Sequence, residues 1–178
     1  WQASVQRDLP ASLTVLATYL GAKGNRLMQQ FLPNTYPAGA ASPCPECPVG
    51  FRYLTSDGRS IRHAGQVQLR RRLRNGLAAS VQYTLAKAMD NAAAFAGASL
   101  DAGALAQDWL DLEAEYARSN FDQRHQVVAQ VEYTTGAAVT GGLLLDGMMG
   151  RLLRDWTITG NLTTGSGLPL TPLYFAPV

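Results

Sequence analysis

Between His63 and Met89 apolar and polar residues alternate in two arms joined by Arg74-Asn75-Gly76. In the first arm Val67, Leu69 and Leu73 share one face, and Gln66, Gln68, Arg70 and Arg72 share the other. In the second, Leu77, Ala79, Val81, Tyr83 and Leu85 alternate with Ala78, Ser80, Gln82 and Thr84. A period of two with one apolar side belongs to a strand, and Asn-Gly between two such runs marks a hairpin. Cross-strand partners must share a face, so parity selects the register. A two-residue turn would set Leu73 against Ala78. A three-residue loop with Gly76 left-handed instead pairs Leu73 with Leu77, Leu69 with Val81, Val67 with Tyr83 and Gln68 with Gln82. The second register is self-consistent and is the one predicted. Each arm extends to roughly nine to eleven residues, the length a tilted strand needs to cross a bilayer.

The same design recurs along the chain. Trp1, Ala3, Val5 and Leu9 alternate with Gln2, Ser4, Gln6 and Asp8, Arg7 being the exception on the apolar side. After Pro10-Ala11-Ser12 the return strand presents Leu13, Val15, Ala17 and Tyr19, and parity pairs Leu9 with Leu13. A strand from Phe121 turns Val127, Ala129, Val131 and Tyr133 one way and Gln126, Gln130 and Glu132 the other. Trp156, Ile158, Gly160 and Leu162 then alternate with Thr157, Thr159, Asn161 and Thr163. The stretch 136–151 has no clear period and reads as either an extended hairpin or a turn.

The polar faces decide the class. Gln, Arg, Ser and Thr in unbroken succession are too wet for the inside of a sandwich and suit a water-filled lumen. The lumen-facing set is therefore Gln66, Gln68, Arg70, Arg72, Gln82, Thr84, Gln126, Gln130, Glu132, Thr157, Thr159 and Asn161. The lipid-facing set is Val67, Leu69, Leu73, Val81, Tyr83, Leu85, Val127, Val131, Tyr133, Trp156, Ile158 and Leu162, with Trp1 and Trp156 suiting two interfacial aromatic belts. The fold expected is all-β: an antiparallel up-and-down transmembrane barrel segment of about six long strands, with long outer loops and short periplasmic turns. The competing reading is a soluble antiparallel sheet, a binding module with its polar face in bulk water.

Composition supports the membrane reading. Charged residues make up 16% of the 178, below the roughly 25% usual in soluble domains, and no run approaches the ~20 apolar residues of a membrane helix. The net charge of +2 is too small to suggest nucleic acid, and alternation divides the Arg70-Arg71-Arg72 cluster between two faces of one strand. No signal peptide opens the chain, and Trp1 already stands in an alternating strand, so the sequence reads as an internal part of a longer protein.

Two long connections stand out. From Gly21 to about Ser60 the pattern gives way to Gly, Pro, Asn and Ser, ending in a short strand Phe51–Leu54. Within it Cys44-Pro45-Glu46-Cys47 lacks the context of a redox motif or a zinc site and reads as a disulfide staple in an oxidising exterior. From Asp90 to Asn120 the chain is first Ala-rich, then acidic through Asp101, Asp108, Asp111, Glu113 and Glu115. Helical spacing of Trp109, Leu110, Leu112 and Tyr116 predicts a short helix within Leu105–Ala117, whose acidic face either recruits a cation or basic ligand or is simply solvated.

The segment Ser119-Asn120-Phe121-Asp122-Gln123-Arg124-His125 before a strand, then Asp155-Trp156 and Thr163-Thr164-Gly165-Ser166-Gly167-Leu168-Pro169, resembles the late barrel of TonB-dependent outer-membrane receptors. The likeness is to the Oar-like type with a carboxypeptidase-regulatory-like N-terminal domain. Asp8-Leu9-Pro10, Gly21-Ala22-Lys23-Gly24-Asn25 and the Gln66–Leu85 hairpin are similar to the same region. The resemblance implies a barrel of about twenty-two strands, with residues 1–178 as a partial barrel and with plug, TonB box and signal peptide outside this sequence. It implies uptake of a bulky ligand across the outer membrane of a Gram-negative cell. The partners implied are outer-membrane lipid, the rest of the barrel and plug, the TonB complex and a ligand of unknown identity. A passive porin-like, structural or adhesive barrel is the alternative. No cofactor or metal is expected, nor catalysis. Asp122 and His125 differ in parity and no nucleophile or metal motif accompanies them, so hydrogen bonding at the strand's outer end is the role expected of both.

Overall fold

The computed structural model describes residues 1–33, 39–48, 51–74, 76–91, 106, 110–135 and 156–170. Among the described residues seven strands follow in order: β1 (Gln2–Leu9), β2 (Leu13–Phe31), β3 (Tyr53–Arg74), β4 (Leu77–Asp90), β5 (Ala117–Arg118), β6 (His125–Thr134) and β7 (Thr157–Gly165). They form an antiparallel sheet in the up-and-down order β1-β2-β3-β4-β6-β7, with β5 also on β4. The fold is all-β, as the alternation predicted. By contact density the chain divides into two units. The first comprises Trp1–Leu20, Ala64–Leu85 and Arg124–Ser166, and the second Gly21–His63, Ala86–Gln123 and Gly167–Val178.

In the first unit the β1/β2 register sets Leu9 opposite Leu13, Val5 opposite Ala17 and Ala3 opposite Tyr19, as parity required. The connecting turn holds Ala11 and Ser12 at φ of 62° and 61°, and the Ser12 carbonyl accepts a hydrogen bond from Arg72 N at 2.9 Å. Gly76 has φ of 75°, the left-handed conformation expected of it in the second hairpin. Asn75 lies outside the described residues. β4 pairs with β6 from Leu77↔Tyr133 to Leu85↔His125, and β6 with β7 from Gln126↔Gly165 to Thr134↔Thr157. Among the described residues only Ala64, Gly76 and Thr84 of this unit are buried. A layer so lightly covered has no globular core, and its large apolar side chains stay open: Val5 is 73% exposed, Leu73 66% and Ile158 61%.

Several boundaries differ from those predicted. β2 has 19 residues and β3 has 22, about twice the expected arms; Gly21–Phe31 and Tyr53–Ser60 belong to strands, not to loops. Alternation is absent from both stretches, so period alone does not mark them as strand. Arg26, at φ 56° inside β2, breaks the period further. The short strand foreseen at Phe51–Leu54 is the start of β3, which continues without interruption. No helix forms in the described part of Leu105–Ala117: Ala114 N donates to Asp111 O and Tyr116 N to Glu113 O, the spacing of turns. β6 begins at His125 and not at Phe121, which lies in a turn. The connection from β6 to β7, Thr135–Trp156, is also longer than the two other links at that end of the strands; Thr135 N donates to Trp156 O at 2.8 Å and extends the hairpin beyond the ladder. Residues 136–155 lie outside the described ones.

In the second unit the core is small. Phe31, Ala86 and Ala88 are buried together with the polar Gln29, Gln30, Asp90, Asn91, Ser119 and Asp122. The Phe31 and Tyr53 rings meet at 5.1 Å between centroids, tilted by 41°.

Candidate functional site

The β4/β6/β7 registers collect the two predicted residue sets on opposite faces of the first unit. Thr84 opposes Gln126, Ser80 opposes Gln130 and Ala78 opposes Glu132 on one face, where Gln130 next meets Asn161, Glu132 meets Thr159, and Thr134 meets Thr157. Gln82 opposes Val128 there, so this side is not wholly polar. On the other face Val81 opposes Ala129, Tyr83 opposes Val127, Ala79 opposes Val131, and Tyr133 next meets Ile158. Leu162 joins them opposite Ala129. In β3, alternation places Gln66, Gln68, Arg70 and Arg72 against Val67, Leu69 and Leu73, all three of the latter being exposed. Leu85 and Trp156 are exposed as well. In β1 and β2 the polar side also carries Leu16 and Leu20, opposite Gln6 and Gln2.

A concavity of about 440 Å³ lies on this sheet, bordered by Arg70, Arg72, Ala78, Ser80, Gln130, Glu132, Thr159 and Asn161, which share the parity of the predicted lumen, and by Arg71, Leu73, Ala79 and Val131, which do not. Arg72 Nη2 reaches Asp8 Oδ1 at 2.8 Å, and Thr14 Oγ1 donates to the same oxygen at 2.7 Å. Both ion-pair partners are more than half exposed, so salt screens this contact and it does more to orient Arg72 than to hold the sheet together.

Asp122 and His125 make separate engagements. His125 Nδ1 and the Tyr83 hydroxyl share a hydrogen bond of 2.8 Å, with the rings near-parallel at 6.2 Å, on the face carrying Val81 and Leu85. His125 N donates to Ser166 Oγ and Ser166 N donates back to His125 O, which closes the end of the β6/β7 ladder.

In the second unit Asp122 belongs to a turn whose N donates to Ser119 O at 2.9 Å. Its position follows from a break in the strand partnering β4: β6 stops pairing at Leu85↔His125, and β5 resumes at Met89↔Arg118. Ala88 falls in the gap. Its N–H donates to Asp122 Oδ1 at 2.7 Å and its carbonyl accepts from Ser119 N at 3.1 Å, so the turn replaces the missing strand. Asn91 does similar work for β3. Its N donates to Arg59 O, its Oδ1 accepts from Arg59 N at 2.7 Å, and Gln29 Nε2 donates to its carbonyl at 2.8 Å.

These roles depend on partners distant in sequence, and alternation cannot signal them. A polar residue just past a strand's end, such as Asn91 after Asp90, was the one local cue. The acidic segment finds its cation within the chain: Glu113 pairs with Arg59, whose guanidinium also lies 4.4 Å from the Tyr116 ring centroid. Asp101 and Asp108 lie outside the described residues. Cys44 and Cys47 are joined in a disulfide with Cα atoms 5.3 Å apart, in a turn where Cys47 N donates to Cys44 O. Among the described residues no cluster of three or more His, Cys, Asp or Glu side chains is placed to hold a metal ion.

No curated protein matches the chain, and no solved structure matches it. The model of the outer membrane beta barrel domain family matches residues 1–177, and that extent, together with long antiparallel strands exposing one apolar face, makes the chain a member of this family and places it in the outer membrane.

Proposed function

We propose that residues 1–178 form part of the barrel wall of a TonB-dependent receptor of the Oar-like type, which takes up a bulky ligand across the outer membrane. In this reading Val67, Leu69, Leu73, Val81, Tyr83, Leu85, Val127, Val131, Tyr133, Trp156, Ile158 and Leu162 face lipid. Gln66, Gln68, Arg70, Arg72, Gln82, Thr84, Gln126, Gln130, Glu132, Thr157, Thr159 and Asn161 face the lumen. The ordered motifs from Asp8-Leu9-Pro10 to Gly165-Ser166-Gly167 support the receptor assignment. The observation that carries most weight is the polar face itself: Arg70, Arg72, one carboxylate (Glu132), amides and hydroxyls of one parity border an open concavity on the sheet, beside Leu73, Ala79 and Val131. Such a wall needs a wide wet lumen, and a narrow barrel would crowd these side chains together.

Active uptake requires a plug and an energy-coupling segment elsewhere in the full-length protein. Planar-bilayer conductance of that protein distinguishes the two transport classes. A receptor stays closed and binds the periplasmic domain of TonB; a steady open pore with no affinity for TonB would remove the receptor reading and favour a passive barrel.

A further inference from the structure

β4 changes character beyond Leu85. Alternation keeps Lys87 and Met89 on the face of Val81, Tyr83 and Leu85, while Ala86, Ala88 and Asp90 turn to the buried side. β5 adds one more cation to that face, because Arg118 stands directly opposite Met89 and direct cross-strand partners share a side. Lys87 is diagonal to Arg118, a separation of roughly 7–8 Å between backbones that two long side chains easily span. Both are exposed, and neither has a hydrogen-bond or ion-pair partner among the described residues. The carboxylates nearest in sequence are engaged elsewhere: Asp90 is on the opposite, buried face, Asp122 accepts from Ala88, Glu113 holds Arg59, and Glu115 has an interaction of its own.

We infer that Lys87 and Arg118 form an outward-facing anion site for the phosphate groups of outer-leaflet lipid. The occupant follows from position and charge together. The site continues the apolar strip of β4 at the end away from the Gly76 turn, where a lipid-facing strand leaves the hydrocarbon and meets head groups. Two cations without a partner among the described residues attract phosphate at that level, and Met89 beside both supplies an apolar base for the lipid. The inference rests on the lipid-facing assignment of this strand.

The test uses the full-length protein reconstituted in phosphatidylcholine vesicles, with lipid A as the probe. Neutralising either cation, Lys87→Ser or Arg118→Ser, is expected to weaken lipid A binding about fivefold, and both together about twentyfold. Lys87→Arg retains binding. Arg62→Ser, which removes an exposed cation on the other side of β3, leaves binding unchanged. Heat-modifiable gel mobility confirms that each variant is folded. Unchanged affinity of the double variant overturns the inference, as does equal binding of lipid A stripped of its phosphates. Competition by inorganic phosphate at concentrations comparable to lipid A would show a soluble-anion site and overturn the lipid assignment. A nitroxide at Val81 separates the two layers: lipid accessibility there with unchanged lipid A binding refutes the site alone, whereas water accessibility refutes the lipid-facing reading beneath it.

Discussion

The N–H of Ala88 donates to Asp122 Oδ1 at 2.7 Å across 34 residues of sequence, within the Ala86–Ala88 stretch of β4 where neither β5 nor β6 supplies a ladder partner. Asp122 is 3% exposed, so water does not readily take its place. Asp122→Ala leaves a buried donor unmet and is expected to cost about 1–3 kcal/mol. Asp122→Asn keeps an acceptor oxygen and costs less, by the difference between a charged and a neutral acceptor. Hydrogen exchange at the Ala88 amide measures this directly. Protection unchanged in Asp122→Ala would show that the turn does not close the gap.

Spin labels placed singly from Val67 to Leu73 are expected to alternate between lipid and water accessibility. Val67, Leu69 and Leu73 are exposed to different solvents from Gln68, Arg70 and Arg72 if the sheet is a barrel wall. Collision rates with oxygen and with a water-soluble nickel complex read the two phases. Uniform water accessibility along the whole arm would return the strand to a soluble sheet.

Legibility in the sequence followed the reach of the forces involved. The pairing of Leu9 with Leu13 and the left-handed Gly76 were readable because turn length, parity and glycine preference act within a few residues. The faces of β4, β6 and β7 were readable because one solvent sorts each side. Gly21–Phe31 of β2 and Tyr53–Ser60 of β3 were not, since their residues keep no period of two and are extended through pairing with neighbouring strands. β5 was invisible because two residues have no period; Ala117 and Arg118 are a strand only through Asp90 and Met89. The strand predicted from Phe121 begins only at His125, because the bond that fixes the turn before it ends on β4, out of reach of local pattern.

Gly24 lies so close to Ser60 of β3 and to Leu27 that a side chain there would force theirs to shift. A Cβ there would stand 2.8 Å from Ser60 Oγ and 3.1 Å from Leu27 Cδ1. Gly24→Ala is expected to destabilise by about 1–2 kcal/mol, within the range for overpacking. Ser60→Ala deletes the nearest obstacle and recovers part of that loss in the double variant, although Leu27 still crowds the site. Urea titration in detergent micelles gives the cycle. Strict additivity of the two changes would show that Gly24 and Ser60 do not press on each other.

The first hairpin turn holds Ser12 at φ 61°, where an L side chain is disfavoured by roughly 1 kcal/mol. Ser12→Gly relieves that strain but adds backbone freedom to the unfolded chain, and the balance favours a gain of about 0.5 kcal/mol. Ser12→Val forces a β-branched residue into the same conformation and is expected to lose more than about 1 kcal/mol. The carbonyl that accepts from Arg72 N is present in every variant, so the series isolates the dihedral preference. The order Gly above Ser above Val in urea midpoint is the expected result; Val equal to Ser would mean the turn is not left-handed at this position.

The chain alone, expressed as Trp1–Val178 without detergent, is expected to aggregate or to assemble through its sheet edges. Along one face Val5, Leu73, Val81, Ile158 and Leu162 are all exposed, and among the described residues β1 and β7 end the strand order. An apolar strip of this kind on a water-soluble monomer far exceeds the scattered exposed residues such proteins tolerate, and an open edge adds a template for pairing with a second copy. A burial coefficient of about 25 cal/mol per Å² makes each of these side chains a contribution of about 1–2 kcal/mol to association, so several together favour assembly strongly. Detergent or lipid covers the face and removes that drive, and the same chain then gains protection in the β4/β6/β7 ladder. Sedimentation with and without micelles, followed by near-UV dichroism, reads both halves of the prediction. A soluble, monodisperse monomer with fixed tertiary packing in plain buffer would contradict the lipid-facing assignment, because no water-exposed sheet leaves Leu73 at 66% and Ile158 at 61% exposure on one continuous apolar side without a partner to cover it.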